Sequence, residues 1–388
     1  MNDIRRVFFL SGARSEYDLM APVVAACQKR PELAPAMVAG ASLLSPFHGS
    51  VVKEIEKDGF DIAARLETLL ASETPAARGL SFGNLHNAMV LLLERDRPDI
   101  VFVAGDREEA LAGALAANFT GVPVAHLHGG DRCLASDIDE VFRPAISKLA
   151  HLHFVANQAH QDRLIKMGER PETVFNCGAP GLDRLLDEPE TPAEELKAAY
   201  GVDPEQPYFL LIFHPAPMLG TDQSGQEMSE VLKGILDLGH PVLCSYPNTD
   251  PGNMAMRVVI DQFREANDNL LVYHHLPRSH FVTLYRHCAA MVGNSSSLVI
   301  ESGFLRVPAV MIGRRQELRE TGQNVIPVPV VAAEIQKACK RTLKDEDYLR
   351  IVQTAPSVYG DGKSSPRIAK VLAEVELNQD LLLKTITY

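Results

Sequence analysis

Residues 99–131 read DIVFVAGDREEALAGALAANFTGVPVAHLHGGD. The stretch has three parts. Asp99–Val103 is a short apolar run of strand length. Glu108–Asn118 is rich in Ala and Leu, the best helix formers. Val122–His126 is apolar again. A strand, a helix and a second strand joined by short turns make a βαβ unit, whose strands run parallel and are covered on both faces. Upstream, Val7–Leu10 and Ala36–Ala39 read as strands, and Leu19–Lys29, Gly49–Asp58 and Asn84–Arg95 as helices. Downstream, Pro144–Leu149 reads as a helix and His153–Ala156 as a strand. The alternation pauses at the acidic Asp187–Thr191 and the polar Pro204–Pro207, which read as linkers. It resumes with strands at Tyr208–Phe213, Val242–Ser245, Leu270–Tyr273, Ala290–Val292 and Ala309–Ile312. Helices at Glu227–Leu238, Met256–Asn267, Phe281–Cys288 and Leu298–Gly303 separate them, and Pro366–Leu377 reads as a late helix. The expected fold class is α/β, with two Rossmann-like doubly wound domains over residues 1–185 and 186–365 and an active site in the cleft between them.

Composition narrows the function. The chain has 388 residues, with 38 Lys plus Arg against 50 Asp plus Glu, a formal charge of −12. An acidic chain does not suit a protein that grips nucleic acid backbone. Hydrophobic residues at 46% and charged residues at 23% are ordinary globular values, which excludes a largely disordered chain. No run approaches the ~20 apolar residues of a membrane-spanning helix. Six cysteines are scattered without a CxxC pair and read as reduced thiols of a cytoplasmic protein.

Ligands of open α/β sheets bind beyond the carboxyl ends of the strands, so chemistry is sought there. Ser11-Gly12-Ala13-Arg14-Ser15-Glu16-Tyr17 follows the first strand. Gly12 would let a phosphate or sugar approach the backbone, with Arg14 as partner; the plain alternative is a helix-entry turn with a solvated Arg. It is not GxGxxG, so no nicotinamide or flavin is indicated. Asp106 either caps the helix that follows it or acts as an acid or base. His126-Leu127-His128-Gly129-Gly130-Asp131 ends another strand, and alternation places both histidines on one face. Asp137, Asp139, Glu140, Arg132 and Arg143 follow closely. Such a cluster of titratable groups suits catalysis, against one core histidine with helix-capping acids. His126-x-His128 also resembles a metal pair, which is discounted for want of further ligands, and His151-x-His153 reads as packing. In the second half His214 ends a strand. Gly293-Asn294-Ser295-Ser296-Ser297 opens a helix and offers hydroxyls and N–H groups to an anion, or a plain serine cap. Glu301, one turn further on that helix, can accept ribose hydroxyls. Gly313–Arg319 is a basic cluster for a diphosphate, or a solvated charged turn.

In this order the segments resemble the UDP-N-acetylglucosamine 2-epimerase family, specifically its hydrolysing branch. The resemblance rests on residues 12–17, Gly105-Asp106-Arg107, residues 126–131, Asp139-Glu140 with Arg143, Gly178-Ala179-Pro180-Gly181-Leu182-Asp183, residues 247–252, residues 293–297 with Glu301, and Arg315-Gln316 with Arg319. It implies a glycosyltransferase-B-like fold whose last segment, 366–388, returns to the N-terminal domain. It implies a nucleotide-sugar substrate, no metal, no cofactor, and a homo-oligomer, either dimer or tetramer. By position, Asp106, Asp131, Asp139 and His214 match catalytic residues. Arg14, Ser296, Ser297, Glu301 and Arg315 match nucleotide or diphosphate contacts. The implied reaction removes the C2 proton as the nucleoside diphosphate leaves C1, then adds water to the glycal with inversion at C2. His214-Pro215-Ala216-Pro217 replaces the His-Arg-Arg-Glu-Asn run of the non-hydrolysing branch, which favours hydrolysis. Asp131 stands where the hydrolysing branch usually has Glu. That branch usually has Gly where Asp18 and Leu318 stand and often has His where Leu43 stands, at positions near the sugar or nucleotide. These departures leave N-acetylglucosamine, 2,4-diacetamido-2,4,6-trideoxy sugars and GDP-linked sugars open. The competing reading is a glycosyltransferase of the same architecture.

Overall fold

The structure, a computed structural model, describes residues 4–46, 51–72, 74–134, 138–216, 223–248 and 250–388. Contacts divide the chain into two compact units. The first comprises Met1–Asp131, Ile138–Arg184 and Gly360–Tyr388, and the second is built on Leu185–Tyr359.

Among its described residues the first unit has seven strands: β1 (Arg5–Ser11), β2 (Leu33–Gly40), β3 (Ile62–Leu66), β4 (Ile100–Ala104), β5 (Val124–Leu127), β6 (Leu152–Val155) and β7 (Val174–Asn176). All pair in parallel, in the order β3-β2-β1-β4-β5-β6-β7. β1 shows why the run Val7–Leu10 is uniformly apolar. Val7 and Phe9 enter one hydrophobic cluster, while Phe8 and Leu10 enter the other. Successive side chains of a strand face opposite ways, so both faces are covered. Phe9, Phe102, Phe154 and Phe175 make a ladder of ring contacts across one face, with centroids 4.8, 5.8 and 5.7 Å apart.

Among its described residues the second unit has six parallel strands: β8 (Phe209–Ile212), β9 (Val242–Ser245), β10 (Leu270–Tyr273), β11 (Ala290–Gly293), β12 (Ala309–Ile312) and β13 (Val325–Val328). Their order is β10-β9-β8-β11-β12-β13. Both sheets therefore reverse direction once, between β1 and β4 and between β8 and β11. These are the switch points where open sheets bind ligands.

The helix Ser364–Glu374 is part of the first unit. Ile368, Ala369 and Leu372 pack with Met20 and Val24 of the helix Arg14–Gln28. Its N-terminus is held by Asp183, whose carboxylate accepts the N–H groups of Ser364 at 2.9 Å and Ser365 at 2.5 Å. Beside it Gly360 has φ +117°, and a Cβ there would lie 3.0 Å from the Gly178 Cα.

Several boundaries differ from the sequence expectation. The first helix starts at Arg14, not Leu19, because Glu16 caps it. The helix expected from Pro144 runs Asp139–Leu149, with Pro144 inside it. Proline suits a helix start, which drew the expected boundary too late. The single helix expected over Leu298–Gly303 is two short ones, Ser296–Ile300 and Ser302–Leu305. Asp187–Thr191 is not a loose tether: Glu188 pairs with Arg278 at 3.0 Å, and Thr191 N–H donates to the Thr283 hydroxyl at 2.9 Å. Elements not expected from sequence include β3, β7 and β13, three outer strands, and the helices Gln158–Lys166, Ala193–Tyr200, Ala332–Lys344 and Glu346–Thr354. An edge strand is half solvated and lacks the continuous apolar run of a central strand; β13 even carries Pro327. Of the expected helix Gly49–Asp58, residues 49–50 lie outside the described residues, and Val52–Lys57 is helical.

Candidate active site

In the first unit, the residues beyond β4 and β5 converge. β4 ends at Ala104, and Gly105 turns the chain with φ +76°. Asp106 then points to Arg143 on the helix Asp139–Leu149, and the two form an ion pair. Arg143 is only 3% exposed, and its guanidinium also lies 3.9 Å from Asp131. A buried Arg is costly without paired charge, and here two carboxylates flank it. Asp131 in turn lies 3.5 Å from the buried His160. Asp139 opens the same helix as Arg143, one turn earlier, where the helix dipole favours an anion. Oxygens of Asp106 and Asp139 lie within 4.8 Å of one another. The structure thus brings the expected Asp106, Asp131 and Asp139 to one place, with Arg143 among them. Asp106 is the more open, with 21% of its side chain exposed against 5% for Asp131. Asp137 lies outside the described residues.

Two glycines make room for this arrangement. Gly130 has φ +76°, and a Cβ there would sit 2.4 Å from the His160 carbonyl oxygen. Its own carbonyl accepts from Arg163 at 2.7 Å. The histidines behave unlike the expectation. β5 ends at Leu127 and His128 takes φ +65°, so strand alternation does not carry His128 to the face of His126. His126 is fully buried, with its ring nitrogens 3.1 Å from the Ser147 hydroxyl and 2.8 Å from the Gly105 carbonyl. Both nitrogens are committed to protein partners, so it is not a metal ligand in this arrangement. Among the charged groups of this cluster, Arg143 already supplies the positive charge between Asp106 and Asp131. The second pair packs as expected: His151 accepts the Val124 N–H at 3.0 Å, and His153 lies 3.0 Å from Glu169.

The turn after β1 is a correction. Glu16 folds back, and its carboxyl accepts the N–H groups of Gly12 at 2.7 Å and Ala13 at 3.2 Å. Those donors are the ones an approaching phosphate would need, so this backbone is not an open anion cradle. Burial, then the like charge of Glu109, pushes Glu16 up to about 8. A Cβ on Gly12 would lie 2.3 Å from the Glu109 side chain, so the glycine serves this packing. Arg14 is half exposed and pairs with Glu54 at 3.1 Å. Leu43 is fully buried in the core rather than facing a ligand, and Asp18 pairs with Arg14 and Arg184 at 3.9 and 3.7 Å.

In the second unit, Asn294 organises the switch point. Its side chain accepts the His214 N–H at 2.7 Å and donates to the His214 carbonyl at 2.8 Å. Its own carbonyl accepts from Gln316 at 3.0 Å and Arg315 at 3.3 Å. One buried residue, through its side-chain amide and its main-chain carbonyl, thus ties together the ends of β8, β11 and β12. Gly293 makes the close approach possible: its φ is +135°, and a Cβ would lie 2.0 Å from the Ile212 carbonyl oxygen. The Nδ1 of His214 accepts the Asn248 N–H at 3.2 Å, so a neutral ring carries its proton on Nε2. Burial, then the Arg315 charge, lowers His214 to about 4. At neutral pH it is an uncharged hydrogen-bond donor. Arg315 is 3.7 Å from Asp250. The hydroxyls of Ser295 and Ser297 are 3.0 Å apart, and Ser296 starts the short helix. Glu301 lies at the joint between two short helices, not one turn along a single one. Thr249 and Pro217 of the expected motifs lie outside the described residues.

The residues missed by sequence reading are Glu16 as a cap, Ser147, His160, Asn248 and Asn294 as organisers. Asn294 and Glu16 sat inside quoted motifs without a role. Ser147 and His160 carry no local signal, because their partners lie 21 and 29 residues away.

Comparisons with known proteins agree in one direction. The sequence profile of a family described as UDP-N-acetylglucosamine 2-epimerase matches residues 25–373. The chain is 33% identical over 385 residues to the hydrolysing UDP-N,N'-diacetylbacillosamine 2-epimerase of Legionella pneumophila, covering 99% of this chain and 100% of that protein. It is 29% identical to the hydrolysing GDP/UDP-N,N'-diacetylbacillosamine 2-epimerase of Campylobacter jejuni, over 83% of this chain and 84% of the other. Among solved structures, the UDP-GlcNAc 2-epimerase of Neisseria meningitidis bound to UDP-GlcNAc superposes with TM-score 0.82 at 18% identity, over 95% of this chain and 100% of that one. The fold of such enzymes is glycosyltransferase-B-like, as expected.

Proposed function

Because the chain belongs to the UDP-N-acetylglucosamine 2-epimerase family, we propose that it is a hydrolysing nucleotide-sugar 2-epimerase. Its substrate is a UDP-linked 2-acetamido sugar, with UDP-N,N'-diacetylbacillosamine first and UDP-N-acetylglucosamine second. The names of the Legionella and Campylobacter relatives support that order. The observation that carries the reading is the buried Arg143 with Asp106 and Asp131 about it and Asp139 close by.

The chemistry needs two proton-transfer groups and a stabilised leaving group. One carboxylate takes the C2 proton while the C1–O bond breaks and its electron pair leaves with the nucleoside diphosphate. The product of this step is a C1–C2 glycal. Water then adds, its oxygen to C1 and a proton to C2 from the opposite face, giving the free 2-epimer. Asp106 and Asp139 are two carboxyl groups close enough to serve this exchange, with Arg143 holding Asp106 in place. Neutral His214 donates from Nε2 to the departing oxygen. Arg315, Ser296 and Ser297 take the diphosphate, Glu301 the ribose, and Arg14 a further part of the nucleotide.

The reading extends to compartment and assembly. All six cysteines are free and buried, which supports work in the reducing cytoplasm. No helix among the described residues is long and apolar enough to cross a membrane. A homo-oligomer is supported by the helices Pro75–Asp96 and Glu108–Thr120, which leave Leu91 and Phe119 72% and 77% exposed. A free 2-epimer of this kind suits a route to sialic- or legionaminic-type acids.

The test is product analysis by NMR in deuterated water on a panel of UDP- and GDP-linked amino sugars. The expected result is a free 2-epimer with deuterium at C2, plus the nucleoside diphosphate. Release without C2 deuterium, or turnover that needs a sugar acceptor, refutes it.

A further inference from the structure

The reaction proposed above does not use His126, yet this histidine is buried completely beneath it. The ring is 2.8 Å from the Gly105 carbonyl through Nε2 and 3.1 Å from the Ser147 hydroxyl through Nδ1. A carbonyl oxygen can only accept, so Nε2 must carry the proton. Burial lowers this imidazole to about 3, so the ring is neutral and Nδ1 accepts. The hydrogen bonds therefore run one way, from Ser147 O–H to Nδ1 and from Nε2–H to the Gly105 oxygen.

The Gly105 carbonyl belongs to the peptide that joins Gly105 to Asp106. Its orientation sets where the Asp106 Cα, and so its carboxylate, points. The N–H of Gly105 is held as well, by the Leu127 carbonyl at 2.9 Å. Two successive residues of β5 thus fix both sides of the turn that presents Asp106. Gly105 itself has φ +76° and no side chain to restrain it.

Ser147 adds a third constraint. Asp139, Arg143 and Ser147 are spaced by four along the helix Asp139–Leu149, and so share one face. Asp139 lies near Asp106, Arg143 pairs with it, and Ser147 reaches it through His126. Gly129 shows that the sequence is shaped around this bond. A Cβ there would come 2.8 Å from the Ser147 Oγ and 3.0 Å from the His126 Nδ1.

We propose that His126, oriented by Ser147, is a positioning residue that sets the Asp106 turn relative to Asp139 and Arg143. It rests on the reading of Asp106 as a proton-transfer group. The role predicts a loss in turnover without a loss in nucleotide affinity. Misplacing a reacting group by about 1 Å costs on the order of 100-fold.

The experiment uses the full-length protein, with the panel sugar that the wild type turns over. Thermal unfolding, UDP affinity by calorimetry, kcat and KM are measured for H126F, H126Q, S147A and D106N. H126F keeps an aromatic ring and loses both bonds. It is expected to lower kcat about 10- to 100-fold with KM and UDP affinity within about twofold. H126Q keeps a donor at the reach of Nε2 and is expected to recover most of that kcat. S147A is expected to lower kcat severalfold. Wild-type kcat in H126F while D106N is inactive overturns the inference and leaves the functional reading standing. Equal losses in H126F and H126Q also overturn it. Should H126F fail to fold, S147A at wild-type kcat overturns it on its own. No turnover by the wild type on any panel sugar sinks the functional reading and this inference together.

Discussion

The two sheets share a strand order but spend their switch points differently. In the first unit, the turn beyond β4 carries Asp106 to a buried Arg143, with Asp131 and Asp139 close by. Charge faces charge, and an Arg 3% exposed is matched by carboxylates. In the second unit, the same turn beyond β11 carries Asn294, whose neutral amide clamps His214. The hydroxyls of Ser295 and Ser297 follow it along the chain, and Arg315 donates to its carbonyl. Proton transfer needs groups that change charge, and diphosphate binding needs donors that do not. On the proposed reading, the same fold holds an acid–base set in one unit and a donor set in the other. Fold alone could not have told them apart.

The sharpest break of that contrast is Asp106→Asn. It keeps the shape and removes the proton acceptor. We expect kcat to fall by about 10²- to 10⁴-fold, the range for one acid–base group, with UDP affinity nearly unchanged. A Kd that moved as much as kcat would show that the first unit's carboxylates bind rather than react. Glu301→Gln should do the reverse. A charge-assisted hydrogen bond of about 1.5–3 kcal/mol gives roughly a 10- to 100-fold weaker Kd for UDP. Calorimetry on the isolated nucleotide is the check, and an unchanged Kd removes Glu301 from the ribose.

A smaller effect compares two histidines. His126 and His214 are held near 3 and 4, below the ~6.5 of an unfolded chain. Between those values the unfolded state takes up a proton that the folded state refuses. Their contribution to stability is therefore complete above about pH 6.5 and is lost as pH falls toward 4. H126Q and H214Q should each flatten the fall of the unfolding midpoint over that window. Parallel curves for wild type and both variants would show that neither ring is kept neutral.

Much of this was legible in the sequence, for physical reasons. Central strands of a parallel sheet are apolar on both faces, so β1, β4, β8 and β12 stood out as runs. Outer strands such as β3 and β7 face water and did not. Asp106, Asp131 and Asp139 lie just beyond strand ends or at a helix start, where local sequence marks a turn. Their meeting through Arg143 depends on a helix 37 residues from Asp106, and no local pattern reports it. The Gly12 turn misled because a glycine there looks the same whether it admits a phosphate or a Glu109 side chain. Only the position of Glu16 decides it.

The smallest expected effect asks which unit owns the late helix. Asp183 ties the motif 178–183 to the first N–H groups of Ser364–Glu374. The Ser364 and Ser365 hydroxyls are buried without partners and cannot replace it. Losing such a cap costs about 1 kcal/mol, a few degrees of unfolding midpoint. UDP stabilises the unit that binds it by mass action. With saturating UDP, Asp183→Ala should therefore lower the unfolding of the first unit while the nucleotide-stabilised second unit stays put. Hydrogen exchange reads this helix by helix: faster exchange in Ser364–Glu374 and Arg14–Gln28, which pack together, with β8 and β11 unchanged. Equal acceleration in β8 and β11 would mean that the helix supports both units, and the contrast between them would lose its structural basis.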